Sequence, residues 1–196
     1  MVKNYDYSTN MVGQTFDGID FDKCSFIGAD LSGCTFMNSY MRGCNFSEAK
    51  MDNSKFDNVN MRESRFVRAT IRHGIMTNCN VNRSDFTDVD GRDMDFTGTD
   101  LRMCNFRNAR FPNADFTDCW LKGIGMRGVK LENSNLHEFL RDETFAYKLI
   151  PPDTICFAWK LAQQDGYGIY HPKIKYNTTS NGRLINNKKF NTHGLL

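Results

Sequence analysis

Residues 29–48 read ADLSGCTFMNSYMRGCNFSE, which is one five-residue motif written four times with nothing gained or lost between copies. The third residue of each copy is large and apolar (Leu31, Phe36, Met41, Phe46), and the first is small (Ala29, Cys34, Ser39, Cys44). The other three are mostly polar. Followed outward, the same register runs from Met11 to Leu136. Of its 26 large positions, 12 are Phe, 6 Met and 5 Leu, with Ile71, Val81 and a single gap at Gly91. The small column runs from Thr9 to Ser134 and holds 6 Cys, 5 Ala, 5 Ser, 3 Val, 2 Thr and Gly74, with Gln14, Ile19, Met94 and Ile124 as exceptions.

A period of five fits neither a helix, at 3.6, nor a free strand, at 2. It fits a chain that turns a corner every five residues, points one large and one small side chain inward, and gives the rest to water. Four such sides close a square coil of 20 residues, and stacked coils exchange backbone hydrogen bonds at about 4.8 Å spacing. That exchange satisfies backbone groups which a chain only 40% hydrophobic could not otherwise shelter.

The unit, small–polar–large–polar–polar with Phe often in place of Leu, resembles that of the pentapeptide-repeat proteins over Thr9 to Glu138. The resemblance implies an all-β fold, a right-handed quadrilateral parallel β-helix. Twenty-six repeats at four per coil make 6.5 coils, a rod roughly 30 Å long. Residues 1–8 are then an N-terminal cap, 9–138 the β-helix, and 139–196 a capping or assembly segment. Some members of the family bind DNA gyrase and topoisomerase IV, apparently by resembling a DNA duplex, and these tend to dimerise through a C-terminal helix. The resemblance therefore raises a type II topoisomerase as a partner and a homodimer through residues 139–196.

Reading every twentieth residue separates four sides, named here by their first large residue. The Phe16 and Phe26 sides are opposite and carry 10 Phe in 13 large positions; the Phe21 and Met11 sides carry slimmer residues apart from Phe21 and Phe111. Facing aromatic columns fill the core, which excludes an internal cofactor cavity. Gly91 is the one empty large position, and Phe111, one coil on, is the residue placed to fill it. Six of the seven cysteines fall in the small column at spacings that are multiples of five, so they read as small buried residues rather than metal ligands. The seventh, Cys156, lies beyond the repeats. The four histidines are scattered, and no nucleophile elbow, phosphate loop or zinc motif occurs. An enzyme is not expected, and no cofactor.

Function then falls to the outside. The Phe21 side carries Tyr40 and Trp120 before its large residues, Arg42, Arg62, Arg102 and Lys122 after them, and Arg83 and Met103 one step further. Exposed aromatics beside arginines are the composition of a protein-binding face. A second region is acidic, with Asp85, Asp88, Asp90, Asp93, Asp95, Asp115 and Asp118, although Asp also suits the turns of the repeat. Thr77, Thr97, Thr117 and Asn38, Asn58, Asn78 read as hydrogen-bonded ladders.

The repeats hold 18 acidic and 16 basic residues, a balance that weakens duplex mimicry and, with no nucleic-acid motif, direct nucleic-acid binding. The segment 136–149 reads as a short amphipathic helix ended by Pro151 and Pro152, followed by strands around Trp159 and Tyr167–Tyr176. A faint likeness of this tail to segments in bacteriophage proteins implies a phage origin and, with it, a structural subunit of a virion as another role. No apolar run nears the roughly 18 residues of a membrane span, and Met1–Asn10 lacks the apolar core of a signal peptide. With seven thiols, a cytoplasmic location is expected.

Overall fold

The computed structural model describes residues 11–121 and 123–136. The expected cap at 1–8, Lys122, Cys156 and the whole 139–196 segment with its helix, strands and dimer contact lie outside the described residues. On the Phe16 side four short strands form a parallel sheet: β1 (Thr15–Asp17), β2 (Thr35–Met37), β3 (Lys55–Asp57) and β4 (Ile75–Thr77). They pair in chain order with a register of 20, Phe16 against Phe36 against Phe56 against Met76. The other three sides are stitched by single parallel bridges at the same offset, such as Asp20 to Tyr40, Ser25 to Asn45 and Asp30 to Lys50. The chain is an all-β quadrilateral solenoid of 20-residue coils.

The repeat at residues 81–85 leaves no amide idle. Val81 and Arg83 donate to carbonyls of the next coil, at Asp100 (3.1 Å) and Arg102 (3.0 Å). Asp85 donates back to Ser64 in the previous coil at 3.0 Å, and Ser84 closes the turn onto Val81 at 3.0 Å. The fifth amide, Asn82, has no backbone partner and is taken by the Asn80 side chain at 3.1 Å. An Asx residue just before the large one thus completes the accounting. Asp20, Asp30, Asn45, Asn60, Asp85, Asp95, Asp100, Asn105 and Asp115 all do the same.

Every corner needs one residue with positive φ, two positions after the large one. All such positions from Gly13 to Asn133 have φ between 51° and 76°, whether or not they are glycine. Glycine, Asn and Asp dominate that column because they enter the left-handed region at least cost.

Inside, the large residues are buried from Phe21 to Leu136, and Phe16 at the first coil is half-buried. The Phe26, Phe46, Phe66 and Phe86 rings stack with centroids 4.9, 4.9 and 4.5 Å apart and planes within 9°. The stack breaks at Phe86 and Phe106, whose planes cross at 79°. The cause is Gly91. As expected, Phe111 leans into the empty slot, and a Cβ built on Gly91 would lie 2.6 Å from Phe111 Cδ1. There Phe111 meets Phe106 at 4.8 Å and Phe96 at 5.4 Å.

Six cysteines are buried and form no disulfide among the described residues, as the spacing implies. They are also more than spacers. Cys34, Cys44, Cys104 and Cys119 donate their thiols to the carbonyls of Met11, Phe21, Val81 and Phe96 in the coil below, at 2.8 to 3.1 Å. Ser64, Ser84 and Thr99 make the same bond with hydroxyls. Burial pushes the thiols up, to about 12 for Cys44 and Cys79, which removes thiolate chemistry near neutral pH.

Candidate partner surface

The Phe21 side positions the aromatic and basic residues by its bridge ladder. Asp20, Tyr40, Asn60, Asn80, Asp100 and Trp120 are consecutive rungs of one column. Tyr40 and Trp120 therefore share a face but stand four rungs apart, about 19 Å. Tyr40 is 57% exposed and Met103 58%, the two most exposed large apolar side chains among the described residues.

Three arginines of this side, Arg42, Arg62 and Arg102, are held by acids of the rod. Arg102 grips Asp100 with two bonds of 2.8 and 2.6 Å and lies over the Trp120 ring with its guanidinium carbon 5.0 Å from the centroid. Hydrogen bonding to Asp100 raises the Arg102 pKa further, so its charge is fixed. Arg42 pairs with Asp22 at 3.6 Å, and Arg62 with Glu63 at 3.1 Å. Arg62 Nε is enclosed without an acceptor among the described residues. Arg83 is exposed in the corner column. Met103 lies against Gly123, on the corner one coil further on. Only Arg102 and Trp120 of the eight expected residues are shown in direct contact; Lys122 lies outside the description.

The acidic residues divide between three duties. Asp85, Asp95 and Asp115 close Asx turns onto Thr87, Thr97 and Thr117. Asp88, Asp93 and Asp118 occupy positive-φ corners, with Asp88 and Asp93 accepting from Asn108 (3.0 Å) and Asn113 (2.8 Å) of the next coil. Asp90 is clasped by Arg72 and Arg92, each at 2.9 Å. Burial pushes its carboxyl up, but the two arginines outweigh that and hold it below the usual range. Of the expected ladders, Asn58 donates to Asn38 at 2.8 Å, while Asn78 turns to Asp57 at 3.4 Å. Thr97 and Thr117 bond their own Asp residues rather than each other.

One cluster escaped the sequence reading. At the corner between the Phe26 and Met11 sides, Arg107 and Arg110 sit below Arg127 and Lys130, all exposed. The signal was present as RNAR at 107–110 recurring as RGVK at 127–130, one coil on. Among the described residues no group of His, Cys, Asp and Glu is arranged to hold a metal ion. No helix among them is long and apolar enough to cross a membrane.

Comparison with family models matches the pentapeptide repeat region over residues 9–86 and 41–109, and pentapeptide repeats in eight copies over 92–128. The chain belongs to the pentapeptide-repeat family. No curated protein matches it. Among solved structures it is similar to the pentapeptide repeat protein Rfr23 from the cyanobacterium Cyanothece 51142, at 14% identity and a TM-score of 0.42 over 64% of this chain and 85% of that one. QnrB1, a plasmid-mediated fluoroquinolone resistance protein, matches at 19% identity and a TM-score of 0.38 over 70% and 93%. A pentapeptide repeat protein of the Arabidopsis thaliana thylakoid lumen matches at 20% identity and 0.31 over 59% and 70%.

Proposed function

We propose that the chain is a non-enzymatic protein-interaction scaffold whose docking face is the Phe21 side, centred on Tyr40, Arg42, Arg62, Arg83, Arg102, Met103 and Trp120. The observation that carries this reading is that Tyr40 and Met103 are the two most exposed large apolar side chains among the described residues, ahead of Val12, Ile27, Ile19 and Ile75. Arg102, clamped by Asp100 and stacked on Trp120, adds a rigid flat element that loses little entropy on binding. The test is capture by the tagged full chain from cells that express it. Tyr40→Ser combined with Met103→Ser removes the captured protein while leaving the circular dichroism melt unchanged. Capture that survives both substitutions refutes this face.

A second reading, a binder of a type II topoisomerase acting by duplex mimicry, draws on Asp95 and Asp115. These carboxylates are bridge partners on adjacent rungs and form no ion pair among the described residues. A supercoiling assay with purified gyrase separates the readings: no effect at micromolar protein removes the second.

A further inference from the structure

The Phe26 side is described over six whole rungs, from residues 23–28 to residues 123–128. Its two middle rungs carry three charges each, and every charge changes sign from one rung to the next. Glu63 stands below Arg83, Arg65 below Asp85 and Arg68 below Asp88. Three of these, Glu63, Arg68 and Arg83, hold positive-φ corners at 62°, 58° and 61°, where Gly, Asn or Asp strains the backbone less. Their contacts within the chain leave capacity for more. Glu63 uses one carboxylate oxygen on Arg62, and Arg68 one guanidinium nitrogen on Glu48.

We propose that the Phe26 side is the interface of a homodimer in which two rods pack side by side and antiparallel. A two-fold axis crossing the face between the middle rungs, at right angles to the rod, lays each column reversed on itself. Glu63 then meets the partner's Arg83, Arg65 the partner's Asp85, and Arg68 the partner's Asp88, each pair occurring twice. No like charges oppose each other in any of the four outward columns, and the exposed Met103 falls opposite Gly43, a corner with no side chain of its own. The same operation on the Phe21 side sets Arg42 against Arg102, a repulsive pairing. Parallel packing of the Phe26 side matches the corner columns alone, Glu63 on Arg68 and Arg83 on Asp88. The occupant is a second copy because the charge pattern is its own complement. The face is one side wide and about 24 Å long, at the small end of specific interfaces, so affinity in the micromolar range is expected.

Sedimentation equilibrium of the full chain at low salt, over roughly 1 to 200 μM, tests this. Wild type should dimerise. Arg83→Glu leaves two acids facing each other at both symmetry-related contacts, and Glu63→Arg leaves two cations; each should weaken the dimer at least about tenfold. An equimolar mixture of the two variants sets opposite charges face to face again and should form a heterodimer. Recovery on mixing also shows that both variants fold. Three results overturn the proposal: a monomer throughout the range, a dimer unmoved by either substitution, or a mixture that associates no more tightly than its components. Tyr40 and Trp120 stand on the adjoining side, so a monomeric chain leaves the docking face proposed above standing.

Discussion

Gly91 and Phe111 offer a test of the packing that has a sign as well as a size. Gly91 is not among the positive-φ glycines. At an ordinary backbone conformation, replacing glycine stabilises by about 0.4–1 kcal/mol through the unfolded chain. Here the added atoms meet the Phe111 ring instead. With Cδ1 at 2.6 Å and ordinary contact beginning at 3.4 Å, that edge of the ring must retreat by about 0.8 Å even for alanine. It has nowhere to go. Phe111 is fully buried and faces Phe106, Phe96, Phe116 and Phe86 at 4.8, 5.4, 6.1 and 6.5 Å. Gly91→Leu should therefore destabilise, by about 3 kcal/mol, the upper range for overpacking. Phe111→Leu alone leaves part of the slot empty and should cost about 2 kcal/mol. Together they nearly conserve volume and restore the regular column seen at Leu31 and Leu131. The double variant should fall within about 1 kcal/mol of wild type, a favourable coupling of several kcal/mol, at or above the usual upper range for contacting pairs. Urea unfolding followed by circular dichroism measures all four corners of the cycle. Effects that simply add, to within about 0.5 kcal/mol, would refute the account of Phe111 as the occupant of the Gly91 slot; so would a stabilised Gly91→Leu.

Two further outcomes follow from the backbone accounting. Cys104→Ser keeps a donor for the Val81 carbonyl, as Ser84 does for Met61, and should cost less than Cys104→Ala, which loses about 1 kcal/mol by chemical-denaturation midpoint. Because Cys44 and Cys79 hold their protons to about pH 12 when folded, against 9.0 for an ordinary thiol, the unfolded chain releases protons first as pH rises. Their stabilising contribution is complete below pH 9 and is lost between 9 and 12, so a pH series of melts should fall there more steeply for wild type than for Cys44→Ser/Cys79→Ser. Lys23, at φ 63° and exposed, should gain up to about 1 kcal/mol on replacement by glycine, read as a higher melting temperature.

The core was legible residue by residue because it is one-dimensional. A 20-residue coil makes Phe26, Phe46, Phe66 and Phe86 neighbours by arithmetic, and the same arithmetic assigns Phe111 to Gly91. Two backbone features were visible but unread. Glycine, Asn and Asp at Gly33, Asn38, Gly43 and Asn53 mark the left-handed corner, and Asp or Asn before the large residue marks the amide that lacks a backbone partner. Cys34 and Cys44 were legible as small and not as donors, because size alone suits Ala29 and Ala49 in the same column.

Surface charge obeys a looser rule, and it decides function here. An exposed arginine on this rod has possible partners one, two, 18 and 20 residues away. Arg62 takes Glu63, Arg102 takes Asp100, Arg72 takes Asp90 across 18 residues, and Arg42 takes Asp22 across 20. Spacing places these acids within reach without choosing among them; side-chain geometry chooses. The basic column of the Phe21 side consequently reads as charged in sequence and is largely self-neutralised in the fold. That shifts its binding capacity from charge to the exposed Tyr40, Met103 and the Arg102–Trp120 pair. Arg107 and Arg110 are a different case: neither forms an ion pair among the described residues, although Asp90, held by Arg72 and Arg92, is the bridge partner of Arg110. On a rod whose interior is filled by phenylalanine, specificity has to come from the few side chains that the outer lattice leaves exposed, Tyr40 and Met103 first among them.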